Sequence, residues 1–246
     1  LLLWIQNPQA SGTEEQAWVG LRPGDRLRMR HTIRRETEVF TILGRGKAGR
    51  ALAAAWGETA TLQPGTATPE GFVLLAVPDD ALAALAERFV GRCAHLSGSL
   101  NLPGVPCLHP LTSFNGALAD WRGTPLALTG EVPEFLREAF EQLGFLPFLL
   151  APEQKARYHA AAVLTSGHAA TLWLGAARLL QDAGIDLPGR GLEPLARATL
   201  ENLLSRGRAG RTGPFAREDA ATIARDAEAL PEAWREVFLK LGRMDV

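Results

Sequence analysis

The residue types and spacing that carry the most chemistry are Gly44-Arg45-Gly46-Lys47-Ala48-Gly49. A short apolar run, Val39-Phe-Thr-Ile-Leu43, ends directly on Gly44, and an Ala/Leu-rich stretch reaching Trp56 begins directly after the loop. Strand, glycine turn and helix in that order form a cradle for the pyrophosphate of a dinucleotide. Gly44 can make the tight turn, Gly46 lets the backbone approach the phosphates, and Gly49 lets the helix pack closely on the strand. The free N–H groups of the new helix then face an anion, and the helix dipole adds to the attraction. The competing reading of the same residues is a glycine-rich turn that holds nothing.

Three further polar clusters follow candidate strands, where an open α/β sheet places its ligand. They are Val77-Pro78-Asp79-Asp80, His95-Leu96-Ser97-Gly98-Ser99 and His109-Pro110-Leu111-Thr112-Ser113-Phe114. Asp79 or Asp80 can equally be a helix N-cap, and Ser97 and Ser99 can equally bond within a turn. His109 has a ring that titrates near neutral pH and sits beside a proline-fixed backbone, which suits proton transfer; a structural histidine is the alternative. Farther along, Tyr158-His159, Ser166 and Asn202 add polar groups to helical stretches. Tyr158 and Ser166 are eight residues apart, which puts them toward one side of a helix.

The elements that must position these groups alternate. Strands are expected at 39–43, 59–63, 72–77, 94–96, 106–108, 125–128 and 148–150, and helices at 47–56, 80–89 and 133–143. Such alternation predicts an α/β fold, a Rossmann-type mostly parallel sheet with helices on both faces. Between Gly57 and Phe72 there is room for a strand and hardly for the usual crossover helix. From Pro152 onward the strand signals stop. One long helix is expected over 153–183, closed by Gly184, followed by helices at 192–205, 217–230 and 231–241, with Pro231 as a first helical residue. The expected organisation is a dinucleotide-binding domain at 39–151 and an all-α C-terminal domain at 152–246 for substrate and dimerisation. Residues 1–38, with Arg22, Arg26, Arg28, Arg30, Arg34 and Arg35, are expected to be a disordered or non-native extension.

Composition narrows the classes. Of the 246 residues 46% are apolar and 22% charged, and the net charge of −1 provides no field to recruit nucleic acid or a membrane. Two cysteines, Cys93 and Cys107, stand in apolar runs with no CxxC and no His/Cys cluster, which fits a reducing cytoplasm and argues against a disulfide scaffold or a zinc site. No metal site is expected, and no apolar stretch approaches the length of a membrane span.

Six segments occur in order: Gly44-Arg-Gly-Lys-Ala-Gly49, Leu75-Ala-Val-Pro-Asp-Asp80, His95-Leu-Ser-Gly-Ser99, Leu108-His-Pro-Leu-Thr-Ser-Phe114, Tyr158-His-Ala-Ala-Ala162 and Thr212-Gly-Pro214. Together they resemble a bacterial family of Rossmann-like proteins with a helical C-terminal domain of unknown function, over about residues 39–243. The resemblance implies kinship with pyrroline-5-carboxylate reductase, ketopantoate reductase and deazaflavin-dependent NADP oxidoreductases. Those proteins bind NADP at the sheet edge and close the site with a helical domain that often dimerises. Two departures stand out. The family's Asn-aromatic pair after the long-helix serine is here Gly167-His168, and the second strand and the segment after it are short.

The reading is an NAD(P)-dependent oxidoreductase passing hydride between nicotinamide and the C=O or C=N carbon of a small polar molecule. The alternative is a dinucleotide-binding sensor or assembly protein without turnover. The expected catalytic residues are His109, Tyr158 and His159. Cofactor contacts are expected from Gly44, Arg45, Gly46, Lys47, Ala48, Gly49, Val77, Pro78 and Ser97, and substrate contacts from Ser99, Ser113, Ser166 and Asn202. The expected cofactor is NADP rather than NAD, because the segment after the second strand, Gln63-Pro64-Gly65, has no acid for the ribose hydroxyls while Arg45 can meet a 2′-phosphate. A homodimer through the C-terminal helices is expected, with no nucleic-acid partner.

Overall fold

The structure is a computed structural model, and it describes residues 39–244. The arginine-rich arm at 1–38 lies outside the described residues. β1 (Phe40–Leu43) passes through the glycine turn into α1 (Lys47–Trp56), and β2 (Ala60–Gln63) returns beside β1. β3 (Val73–Leu75) pairs with the other side of β1, with no helix between β2 and β3. Then come α2 (Asp79–Arg88), β4 (Cys93–His95), β5 (Cys107–Pro110), β6 (Pro125–Thr129), α3 (Glu134–Gln142) and β7 (Leu146–Leu149). The seven strands form one sheet in the order β2-β1-β3-β4-β5-β6-β7, parallel throughout except for the antiparallel β5–β6 pair.

Helices cover both faces because the central strands are apolar on both. Successive residues of a strand point to opposite faces, so Ile42 and Leu43 enter separate cores. Phe40, Ile42 and Leu74 pack with α1 and α3 through Leu52, Trp56, Leu136 and Phe140. Leu43, Val73 and Leu75 pack with α2 through Leu82, Leu85 and Phe89. Trp56 meets Phe40 and Phe140 edge-on at 5.1 and 4.9 Å, and its indole N–H donates to the Ala139 carbonyl at 2.9 Å. That bond satisfies the one polar atom a buried indole carries and ties α1 to α3.

The β4–β5 junction sets the geometry of everything beyond it. The two strands share one register pair, His95 with Cys107, the last residue of β4 and the first of β5. β5 therefore starts level with the end of its neighbour and runs past it. It carries His109 beyond the carboxyl edge of β1, β3 and β4. The antiparallel return through β6 and the parallel β7 bring the chain back to that level at Leu149.

After a short 3-10 turn at Pro152–Gln154 the chain becomes helical: α4 (Lys155–Val163), α5 (Ala169–Asp182), α6 (Glu193–Arg206), α7 (Ala220–Glu228) and α8 (Glu232–Arg243). The expected single helix over 153–183 is interrupted by a π turn at Leu164–His168. There Thr165 and Ser166 donate their hydroxyls back to the carbonyls of Ala161 and Ala162 at 2.9 and 2.7 Å. Such bonds compete with the backbone ladder and loosen it. The expected start of the next-to-last helix at 217 moves to Ala220. Glu218 has φ 56°, and Asp219 is the N-cap, its carboxylate accepting from the Thr222 N–H at 3.1 Å. Pro231 sits one position before the first turn of α8 rather than within it. None of the helices among the described residues is long and apolar enough to cross a membrane.

Candidate functional site

The three glycines of the loop have three different reasons to be glycine. Gly44 has φ +120°, and a Cβ there would lie 2.2 Å from the Ala76 carbonyl oxygen. A Cβ on Gly49 would lie 1.9 Å from the Gly44 carbonyl oxygen. Both positions are glycine because the turn folds against itself and against the end of β3. Gly46 differs. Its φ of −70° suits any residue, and the nearest atom to an added Cβ is 4.0 Å away. Nothing in the chain requires glycine there, so the open space above it is where a ligand backbone would need the clearance. Gly46 is the N-cap of α1, no side chain caps that helix, and its first turn carries no acid. The N–H groups of Lys47, Ala48 and Gly49 thus form an uncapped helix start, a place that attracts an anion. Arg45, Lys47 and Arg50 are exposed around this turn, and Arg50 donates to the Arg45 carbonyl while its guanidinium lies against Gly116.

A relay of contacts leads from this cradle to the imidazoles. Val77 packs on the positions a Cβ would take at Gly44 and Gly65. Pro78 is the N-cap of α2, so Asp79 belongs to the first turn and its carboxylate does not cap. Instead Asp79 accepts from the Ser99 hydroxyl at 2.8 Å. The Ser97 hydroxyl oxygen accepts the N–H groups of Ser99 and Leu100 at 3.3 and 3.0 Å. The turn-bonding reading of Ser97 and Ser99 therefore describes their observed contacts. Gly98, between them, packs directly under the site: a Cβ there would be 2.6 Å from His159 Cδ2 and 2.7 Å from His109 Nε2.

His109 and Tyr158 meet across the gap between β5 and α4. His109 Nδ1 lies 3.0 Å from Tyr158 Oη, with the rings edge-on at 5.4 Å, and His159 approaches the same imidazole at 5.9 Å. Loss of solvent, followed by the neighbouring His159 and Lys155 charges, pushes the His109 pKa down to about 4. Burial pushes Tyr158 up to about 12. At neutral pH the imidazole is neutral and the phenol keeps its proton. These groups open onto a crevice of about 440 Å³ that is also lined by Thr112, Ser113, Thr165 and Ser166. Among the expected site residues, His109, Tyr158, His159, Ser113 and Ser166 are thus brought together. Asn202 stands on α6 and is not among the residues lining that crevice.

Two buried residues near the site, neither among the expected site residues, carry further signals. Lys155, the first residue of α4, is 1% exposed and donates to the Ser97 carbonyl at 3.1 Å, the same oxygen that the Cys107 thiol approaches at 3.0 Å. His95 is fully buried; its Nδ1 accepts from the Ser97 N–H at 3.2 Å, which leaves the ring proton on Nε2 without a partner. No group of three or more acidic, His or Cys side chains able to hold a metal occurs among the described residues.

Comparison with known proteins fits this geometry. Residues 124–244 match the sequence profile of a family described only as a domain of unknown function, DUF2520. No curated protein matches the chain in sequence. The fold is that of a candidate NADP oxidoreductase from Bacteroides fragilis, with 19% identity, a TM-score of 0.69, and coverage of 84% of this chain and 98% of that one. Protein TM1727 from Thermotoga maritima is similar at 21% identity and a TM-score of 0.64, over 83% of this chain and 97% of that one. An imine reductase from Myxococcus stipitatus in complex with NADP+ is similar at 13% identity and a TM-score of 0.55, over 83% of this chain and 93% of that one. At these identities the likeness establishes the Rossmann-type architecture with its helical C-terminal part.

Burial of His95, like that of His109, is expected to make the fold sensitive to acid. Burial and the Lys155 charge hold the His95 pKa at about 4 against an ordinary 6.5, so the unfolded chain binds the proton first. The stability it contributes is complete above the ordinary value and is lost as pH falls toward the depressed one, by about 3 kcal/mol for a shift of this size. Urea unfolding at neutral pH and near pH 4 is expected to show that loss, and His95→Gln to reduce it; an unchanged pH slope in the variant would place the acid sensitivity elsewhere.

Proposed function

We propose that this protein is an NADP-dependent oxidoreductase acting on the C=O or C=N group of a small polar molecule held between β5 and α4. The observation that carries the reading is the His109–Tyr158 pair, 3.0 Å apart and open to a crevice at the sheet edge that bears the glycine cradle. NADP, when bound, supplies the hydride; the chain supplies binding, orientation and the proton. Gly46 clears space for the pyrophosphate, and the N-terminus of α1 faces it. In the His109 tautomer protonated at Nδ1, that N–H donates to Tyr158 Oη and leaves the phenolic proton free to point into the crevice. Tyr158 then gives its proton to the developing alkoxide oxygen, or to the nitrogen of a neutral imine as it becomes an amine, and the imidazole stabilises the phenolate left behind. His159 and the Gly98 backbone keep water away from the far side of the ring. Residues 39–151 serve the cofactor in this reading, and 152–246 serve the substrate.

With NADPH and a panel of small ketones and imines, His109→Asn is expected to keep NADPH affinity and lose at least about a hundredfold in turnover. Equal turnover per folded molecule would overturn the assignment.

Cofactor choice rests on charge. The turn after β2 has no carboxylate for ribose hydroxyls, whereas Arg45 is exposed in the cradle. A charge-assisted contact contributes roughly 1.5–3 kcal/mol, about ten- to a hundredfold in affinity. Calorimetry is expected to show NADP bound that much more tightly than NAD, with the difference largely removed in Arg45→Ala; equal affinities in the wild type would contradict it.

We also propose a homodimer through the C-terminal helices. α5 and α6 have no buried residue, and Leu164, Trp173, Leu174, Leu195, Leu200 and Leu204 are 40% exposed or more. An apolar area of this extent on one helical layer matches an obligate interface better than a monomer surface. Light scattering at micromolar concentration is expected to give twice the chain mass, and a monomer would count against it.

A further inference from the structure

Lys155 is the one Lys or Arg side chain among the described residues that the fold buries fully. Taking an ammonium out of water is expensive unless strong partners replace the water. Here no carboxylate lies within ion-pair distance among the described residues. Its recorded partners are the Ser97 carbonyl at 3.1 Å and the Cys107 thiol. The cost is not repaid by a salt bridge, so the position of the contact carries the meaning. Ser97 is the hub of the loop after β4. Its N–H donates to His95, its hydroxyl oxygen accepts two N–H groups of the same loop, and its carbonyl takes Lys155. One residue later, Gly98 is in contact with both His109 and His159. One residue beyond that, Ser99 binds Asp79 at the start of α2.

Helical spacing completes the picture. Lys155, Tyr158 and His159 stand at i, i+3 and i+4 on α4, which puts them on one face of that helix. The ammonium is at one end of this face and the phenol and imidazole are one turn away. Anchoring Lys155 to the loop therefore fixes the depth and rotation of α4 against β5, and with them the 3.0 Å approach of Tyr158 to His109.

We propose that Lys155 is a positioning residue: a buried latch that holds α4 to the Ser97–Ser99 loop and so fixes the His109–Tyr158 pair. The assignment of that pair as the proton donor comes from the function proposed above, but the latch itself can be tested without substrate. Tyr158 is the only tyrosine in the chain, so its ionisation can be read by ultraviolet difference absorbance without overlap from another phenol. Lys155→Met keeps the volume and removes the charge, a change that buried sites often tolerate. Lys155→Arg keeps the charge and is the rescue variant.

In the wild type Tyr158 is expected to ionise near 12. In Lys155→Met its midpoint is expected to move down toward the ordinary phenol value as α4 shifts and water enters. Hydrogen exchange at the Ser99 and Leu100 amides is expected to speed up at least about tenfold, to a degree set by local opening. Lys155→Arg is expected to restore part of both. A Lys155→Met protein that is folded by circular dichroism, with the Tyr158 midpoint and both amide rates unchanged, would overturn the latch. If Lys155→Met does not fold, Lys155→Leu decides in its place: a folded Lys155→Leu with both amide rates and the Tyr158 midpoint unchanged would also overturn it. Absence of NADPH binding in the wild type would instead overturn the oxidoreductase reading and leave the latch standing on its own measurements.

Discussion

A single register pair governs the site. Because β4 and β5 overlap only at His95 and Cys107, the second half of the sheet is displaced past the carboxyl edge of the first. A flush β5 would bury His109 between neighbouring strands. The offset instead raises it above the edge, where α4 can reach it from the other side. Beyond that pair the 97–99 loop leaves the β5 ladder, and its backbone is satisfied by its own serine, by His95 and by Lys155. The His109–Tyr158 contact, the glycine beneath it and the buried lysine all lie at this one geometric step.

The 97–99 loop lies between the start of α2 and the imidazoles. Ser99 binds Asp79 on the cradle side, and Gly98 supports the imidazoles on the other. A ligand spanning from the α1 N-terminus toward His109 would pass along this short segment. That arrangement suits a cofactor whose charged end and reactive end must both be fixed. A neutral His109 and a protonated Tyr158 are what burial at this point enforces at neutral pH.

Local signals were legible where chemistry is local. The glycine spacing marked the turn at 44–49, and the switch from strand to helix period marked α1, α2, α3 and most strands within a residue or two. The short link between β2 and β3 followed from chain length alone. Signals that depend on distant partners were not legible. Nothing near Pro106 or Thr124 announces an antiparallel β5–β6 pair or its offset. Lys155 lies in Glu153-Gln154-Lys155-Ala156-Arg157, a run that reads as a solvated surface, and only the loop at 97–99 makes it interior. The Thr165-Ser166-Gly167 triplet was the one local hint of the π turn, since hydroxyls beside a glycine weaken a helical ladder. Asn202 lies on a helix the sequence predicts, but where that helix sits relative to the crevice depends on packing that no spacing rule encodes.

The central claim is that the glycine cradle and the His109–Tyr158 pair serve one ligand. It is tested most directly by following the His109 ring resonances by NMR during titration with NADPH, in the wild type and in Gly46→Val. The account predicts that the ring responds to NADPH in the wild type. It predicts that the response vanishes in the folded variant, where a branched side chain fills the open space above the turn. A His109 ring indifferent to NADPH, or a response that persists unchanged in Gly46→Val, would contradict it.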